Sequence, residues 1–199
     1  ASITKVMTAL LAVENCNMSD IITYSNAAVN GIEAGSSTAG INVGAKLTVE
    51  DSLYALMLVS ANEAAAAIAE HISGSTTEFA KLMTKRAKEL GCTNTQFKNP
   101  HGLPNEEHYT TAHDMAIIFD AALKNDVFRY VDSTAAYTIP ATNKYGERNC
   151  TSTNQLINGA RPYEGVYAGK TGHTANAGRT LVTAAYRDGM DLILSLIHI

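Results

Sequence analysis

Ser2-Ile3-Thr4-Lys5, Ser60-Ala61-Asn62 and Lys170-Thr171-Gly172, in that order, are the stretches from which the fold of this 199-residue chain is read. Each is weak alone; order and spacing give the set its meaning. Ser2 and Lys5 are three apart. Ile3, Val6, Met7, Leu10 and Leu11 recur at intervals of three and four, which predicts an amphipathic helix from Ser2 to about Val13 with Ser2 and Lys5 on one face. A serine hydroxyl needs a base to act as a nucleophile at neutral pH. Lysine can serve only if its pKa falls from the ordinary ~10.4. Burial among apolar neighbours such as Val6, Met7 and Leu10, or a second cation nearby, would lower it. A helix N-terminus also favours negative charge developing at Ser2. The bland alternative is a capping serine and a lysine whose stem lies along the surface.

Ser60 and Asn62 bracket Ala61 at a break between two helical stretches. A hydroxyl there can relay a proton from Lys5 to a leaving amine, and the Asn62 amide can hold a peptide group. Lys170-Thr171-Gly172 is expected to close a strand, Gly165–Lys170. Such an edge can pair with an extended substrate. Gly172 lets a ligand approach the backbone, and Lys170 and Thr171 suit a carboxylate. A helix junction and an ordinary strand end explain these two stretches singly. One reaction class, acyl transfer to a serine, explains all three together.

Outward from these stretches, helices are expected at Val49–Val59 (with a Thr48/Asp51 capping arrangement), Ala61–Ile72, Thr76–Leu90, Thr111–Leu123 and Asp126–Val131. Gly91 is placed to end the third of these. Residues 15–47 are rich in Gly, Ser, Asn and Thr and read as irregular, with little helix; 92–110 reads as a loop. Beyond 131 the period changes. Ala136–Ile139, Gly165–Lys170, Thr180–Arg187 and Leu192–Ile197 read as strands, with Arg187-Asp188-Gly189-Met190 as a hairpin. The fold class is therefore α+β: one domain over 1–199, helical to about 131 and sheet-forming from about 132.

Composition narrows the function. A net charge of −4 argues against a nucleic-acid partner. Cys16, Cys92 and Cys150 have no spacing that suggests a disulfide framework or a zinc site. No apolar run approaches the ~20 residues of a membrane-spanning helix. His101, His108, His113 and Asp114 lack a metal-ligand pattern, so loop-ordering roles are expected and no metal or other cofactor is called for. Tyr109 and His113 are expected to order the loop and cap the Thr111 helix. Arg179 and Arg187 read as surface strand residues that could also reach a carboxylate.

The ordered trio is a signature of β-lactamases and penicillin-binding proteins. With Ala1–Ala9, Leu58–Ala65, Asn99-Pro100-His101-Gly102-Leu103, Tyr109–Asp114, and Lys170–Thr174 with Ala177-Gly178, the chain resembles the serine-type D-Ala-D-Ala carboxypeptidases of peptidase family S11 along nearly its whole length. The resemblance implies the penicilloyl-serine-transferase fold, a helical cluster packed with an antiparallel sheet. It implies removal of the terminal D-alanine from peptidoglycan stem peptides, and acylation by β-lactams. Ser2 would be the nucleophile, Lys5 the general base, Ser60 the proton relay and Asn62 a substrate contact. Lys170, Thr171, Gly172 and His173 would line the carboxylate side, with the Ser2 and His173 backbone N–H groups as oxyanion hole. The parent protein would work outside the cytoplasm, in the periplasm or on the outer face of the bacterial membrane, and be membrane-associated.

A nucleophile at residue two, and a last strand running to the final residue, lead us to expect a fragment truncated at both ends. Its sheet would lack N-terminal strands and leave an apolar edge unpaired. Two rivals are carried forward. A class A β-lactamase would need an acidic residue in a Glu-x-x-x-Asn pattern; Glu106 and Glu107 lie in a suitable stretch, but Thr110 and Thr111 stand where the Asn would. A non-catalytic module would bind peptidoglycan or β-lactam without turnover.

Overall fold

The computed structural model describes residues 1–198. A single 3-10 turn, Ser2–Thr4, leads into α1 (Lys5–Asn15). All eight residues from Lys5 to Ala12 are buried. The expected amphipathic helix is thus a central one, packed by α3 (Val49–Leu58), α4 (Asn62–Ser73), α5 (Thr76–Glu89), α6 (Ala112–Leu123) and α7 (Asp126–Asp132). A helix surrounded by neighbours has no polar face to show. Asn62–Ala69 of α4 are likewise buried, and its run of alanines lets α1 and α3 come close.

Helix ends follow the expected chemistry. Thr48 Oγ1 accepts the Asp51 N–H and donates to the Asp51 carboxylate. Gly74 and Gly91 take left-handed conformations at φ 73° and 91°, just past α4 and α5.

The 15–47 segment differs from expectation. It contains a short helix, α2 (Asn26–Asn30), and two strands, β1 (Ile21–Thr23) and β2 (Lys46–Thr48), paired antiparallel. Three-residue strands carry too little alternation to be read from sequence. A second pair joins β3 (Ala136–Ile139) to an unforeseen β4 (Arg148–Thr151). The main sheet is antiparallel, in the order β5 (Val166–Thr174), β6 (Gly178–Arg187), β7 (Met190–Leu196). Asp188 and Gly189 both have positive φ, 51° and 78°, and make the tight β6–β7 turn.

One correction bears on function. Lys170-Thr171-Gly172 does not close β5; it lies inside it, because Lys170–Thr174 pair with Val182–Gly178 of β6. Hydrogen bonds from β6 extend a stretch in which Gly172 and His173 interrupt the strand-favouring Thr171 and Thr174. Helices α6 and α7 pack on this sheet, and β5 also meets the Ser2–Thr4 turn.

Candidate active site

Ser2 stands half-buried in the turn that enters α1, and Lys5 is fully buried one turn on. Lys5 Nζ lies 3.1 Å from Ser2 Oγ, 2.6 Å from Asn62 Oδ1 and 2.8 Å from the His101 carbonyl oxygen. Burial pulls the Lys5 ammonium well below the ordinary lysine range, and Lys170 pulls it further; Glu63 opposes them. The second cation anticipated from chemistry alone is therefore Lys170, brought in from β5. Lys170 is itself buried, which lowers its pKa to about 8 against the pull of Asp132. Asp132, buried at the end of α7, is raised to about 7 by desolvation, with Lys170 working against the rise.

A neutral amine has two N–H bonds and one lone pair. Asn62 Oδ1 and the His101 carbonyl can accept both N–H bonds, leaving the lone pair for the Ser2 hydroxyl. The hydrogen-bond geometry thus suits Lys5 as an acceptor of the Ser2 proton.

Gly172 lies directly against the nucleophile's turn. A Cβ there would sit 2.8 Å from Ser2 N, 3.0 Å from Ile3 N and 2.5 Å from Thr180 Oγ1. Only glycine fits this approach. Thr171 Oγ1 meets Thr153 Oγ1 at 3.1 Å. The Thr153 N–H donates to Leu58 O at 2.9 Å, so the segment joins the end of α3 to β5. The His173 side chain is exposed, one residue further along the strand.

Ser60 has φ 62°, a left-handed conformation rare for a side chain other than glycine, and one that stores strain. Its Oγ is buried and has no hydrogen-bond partner in the protein. The expected relay contact from Ser60 to Lys5 is therefore not made here, although the Ser60-Ala61-Asn62 corner delivers Asn62 to Lys5.

The Asn99–Leu103 loop contributes more than its sequence disclosed. Its main chain accepts Lys5 at His101 and Thr8 Oγ1 at Pro100, the latter at 2.6 Å. Asn99 braces it, accepting the Gly102 N–H at 2.7 Å and donating to Leu103 O at 2.9 Å. Gly102, at φ 85°, lies against the Ala1 carbonyl and Thr4 Oγ1, leaving no room for a Cβ. The Asn-Pro-x-Gly turn was a visible signal; its target was not.

Among the other residues singled out, His101 and His108 have local tasks. Burial lowers them to about 3 and about 4, and their ring nitrogens face the Leu103 N–H and Thr4 Oγ1. The α6 cap comes from Thr111, whose Oγ1 accepts the Asp114 N–H; Tyr109 pairs with Gln96 in an isolated bridge. Arg179 and Arg187 are exposed. Glu106 and Glu107 are exposed too, and Glu107 pairs with Lys98 at 2.9 Å. Among the described residues, no group of three or more His, Cys, Asp or Glu side chains could hold a metal ion. No helix among them is long and apolar enough to cross a membrane.

The sequence profile of the D-alanyl-D-alanine carboxypeptidases, peptidase family S11, matches residues 1–198. The chain belongs to this family. It is 39% identical to D-alanyl-D-alanine carboxypeptidase DacF of Bacillus subtilis, over 97% of this chain and 49% of that protein. Against DacB2 of Mycobacterium tuberculosis the identity is 33%, over 100% of this chain and 66% of the relative. The fold matches the crystal structure of the Streptomyces K15 DD-transpeptidase with TM-score 0.90 and 34% identity, covering 99% of this chain and 79% of that one. This S11 chain thus has the penicilloyl-serine-transferase fold, and it spans about half the length of the Bacillus relative.

Proposed function

We propose that this S11 chain carries the acyl-transfer centre of a serine D-Ala-D-Ala carboxypeptidase, acting on peptidoglycan stem peptides and acylated by β-lactams. The observation that carries the reading is the buried Lys5 amine, 3.1 Å from Ser2 Oγ and held away from its charged form by burial and Lys170.

In this reading Ser2 Oγ attacks the carbonyl carbon of the penultimate D-alanine while its proton passes to Lys5 Nζ. The Ser2 and His173 N–H groups receive the oxyanion; a donor of this kind contributes ~3–4 kcal/mol. The C–N bond then breaks, the proton goes to the departing D-alanine amine by way of Ser60, and a water releases the acyl group from Ser2. Asn62 holds the substrate amide. Lys170, Thr171 and His173 receive its terminal carboxylate, and Gly172 leaves the β5 edge open to the extended peptide. The work is done outside the cytoplasm, by a longer, membrane-associated protein.

The test is intact-mass spectrometry after incubation with penicillin. The expected result is one penicilloyl adduct, mapped to the peptide containing Ser2 and missing in Ser2→Ala. Equal, washable binding by both forms would overturn the reading in favour of a non-catalytic module. Rapid loss of the adduct with steady turnover would favour a β-lactamase. The positions of Glu106 and Glu107 speak against that outcome: neither hydrogen-bonds to Ser2, Lys5, Ser60 or Asn62 among the described residues.

A further inference from the structure

Glu63 follows Asn62 directly and is 1% exposed. Its Oε1 accepts three hydrogen bonds from one short segment: Thr38 Oγ1 at 2.6 Å, Ala39 N at 2.7 Å and Ile41 N at 3.3 Å. The same segment reaches back to Asn62, whose N–H donates to Ser37 O at 2.9 Å. From the other side, Arg148 Nη2 of β4 donates to Gly40 O at 2.9 Å. Residues 37–41 are thus tied to α4 at the position where Asn62 reaches Lys5. Glu63 Oε2 and Arg148 Nη1 are buried without a protein partner. A buried carboxylate is costly to keep, and a buried apolar residue would fill the space without that cost. Its retention calls for a task.

We infer that Glu63 is a positioning residue of the acyl-transfer site, clamping residues 38–41 against the start of α4 so that Asn62 Oδ1 stays on Lys5. The inference rests on the function proposed above. The clamp acts through a chain of contacts, from Glu63 to the segment, to the Asn62 main chain, to Lys5 and so to Ser2. Glu63 also faces Lys5 electrostatically and raises its pKa, against burial and Lys170 of β5. The other titratable groups facing Lys5 are the Ala1 amino group and the His101 ring.

Two readouts test this on the whole chain: hydrogen exchange at the Ala39 and Ile41 amides, and the rate of acylation by fluorescent penicillin across pH. In Glu63→Ala, exchange at both amides should rise about tenfold or more. Acylation should fall ~10- to 100-fold, the penalty of a displaced catalytic group. Glu63→Gln keeps an acceptor oxygen and loses the charge. It should restore protection and move the acidic limb of the pH profile to lower pH, a displacement that a purely structural role would not produce. Unchanged exchange in Glu63→Ala, or wild-type rate and pH profile in both variants, overturns the inference. Should Glu63→Ala fail to fold, Thr38→Val removes one bond of the clamp and leaves the charge. Faster exchange at Ala39 with slower acylation and an unmoved acidic limb supports the clamp; no change in either refutes it. A wild-type chain that penicillin does not acylate would refute the proposed function instead, while the exchange measurements still decide whether Glu63 holds the segment.

Discussion

Lys5 and Lys170 have opposite requirements. In the proposed reaction, Lys5 must be neutral to take the Ser2 proton, and Lys170 must be charged to attract a carboxylate. The Lys5 value lies well below the ordinary lysine range, so the free amine is favoured at lower pH than in an ordinary lysine and is lost as pH falls through that lowered value. The Lys170 charge is lost as pH rises through about 8. Stopped-flow acylation by penicillin should therefore fall on both sides, with the alkaline limb near pH 8. Asp132 holds the Lys170 value up, so Asp132→Asn should move that limb to lower pH. A limb that stays in place would mean the reaction does not sense the Lys170 charge. Gly172→Ala is the sharpest steric test, because its Cβ would press on Ser2 N and Thr180 Oγ1. Acylation should drop ~10²-fold or more while the melting temperature changes far less; an unchanged rate would show that the turn yields without cost. The chemical need of each residue was readable at this scale. The buried lysine pair was not, since Lys5 and Lys170 are brought together only by the packing of β5 on the turn before α1.

Elements whose ends are set by local chemistry were legible from their own residues. Thr48 and Asp51 begin α3, Gly91 ends α5, and Asp188-Gly189 turns β6 into β7. Thr48→Ala should cost about 1 kcal/mol, the usual value of an N-cap, in urea unfolding. A loss near zero would mean that the Asp51 side chain, which also accepts from Tyr137 Oη, holds the helix start alone. Elements that exist through pairing were not legible. β1, β2 and β4 are too short to show alternation, and the second half of β5 is a strand because β6 lies beside it. The Asn99–Leu103 loop belongs with these: its turn residues were plain, but its role in seating Lys5, Thr8 and the Ser2 turn required the partner.

At the scale of the molecule, the helices cover one face of the β5-β6-β7 sheet and leave part of the other uncovered. Met190, Leu192, Leu194 and Leu196 are exposed on β7, an edge strand. An apolar edge of this kind favours self-association. The chain should scatter increasingly with concentration, and Leu192→Lys with Leu194→Lys should suppress this without changing acylation. Equal scattering by both forms would place the sticky surface elsewhere. By itself the order of residues determined the α+β class, the approximate extent of the long helices and the family, because periodicity, capping and an ordered set of motifs are local properties. Tertiary structure alone decided that the Lys5 pKa is pulled well below the ordinary lysine range, that glycine is required at 172, and that Glu63 and Asp132 stand within reach of the two lysines. Desolvation and charge coupling act through space, between segments separated by as many as 165 positions along the chain, as Lys5 and Lys170 are.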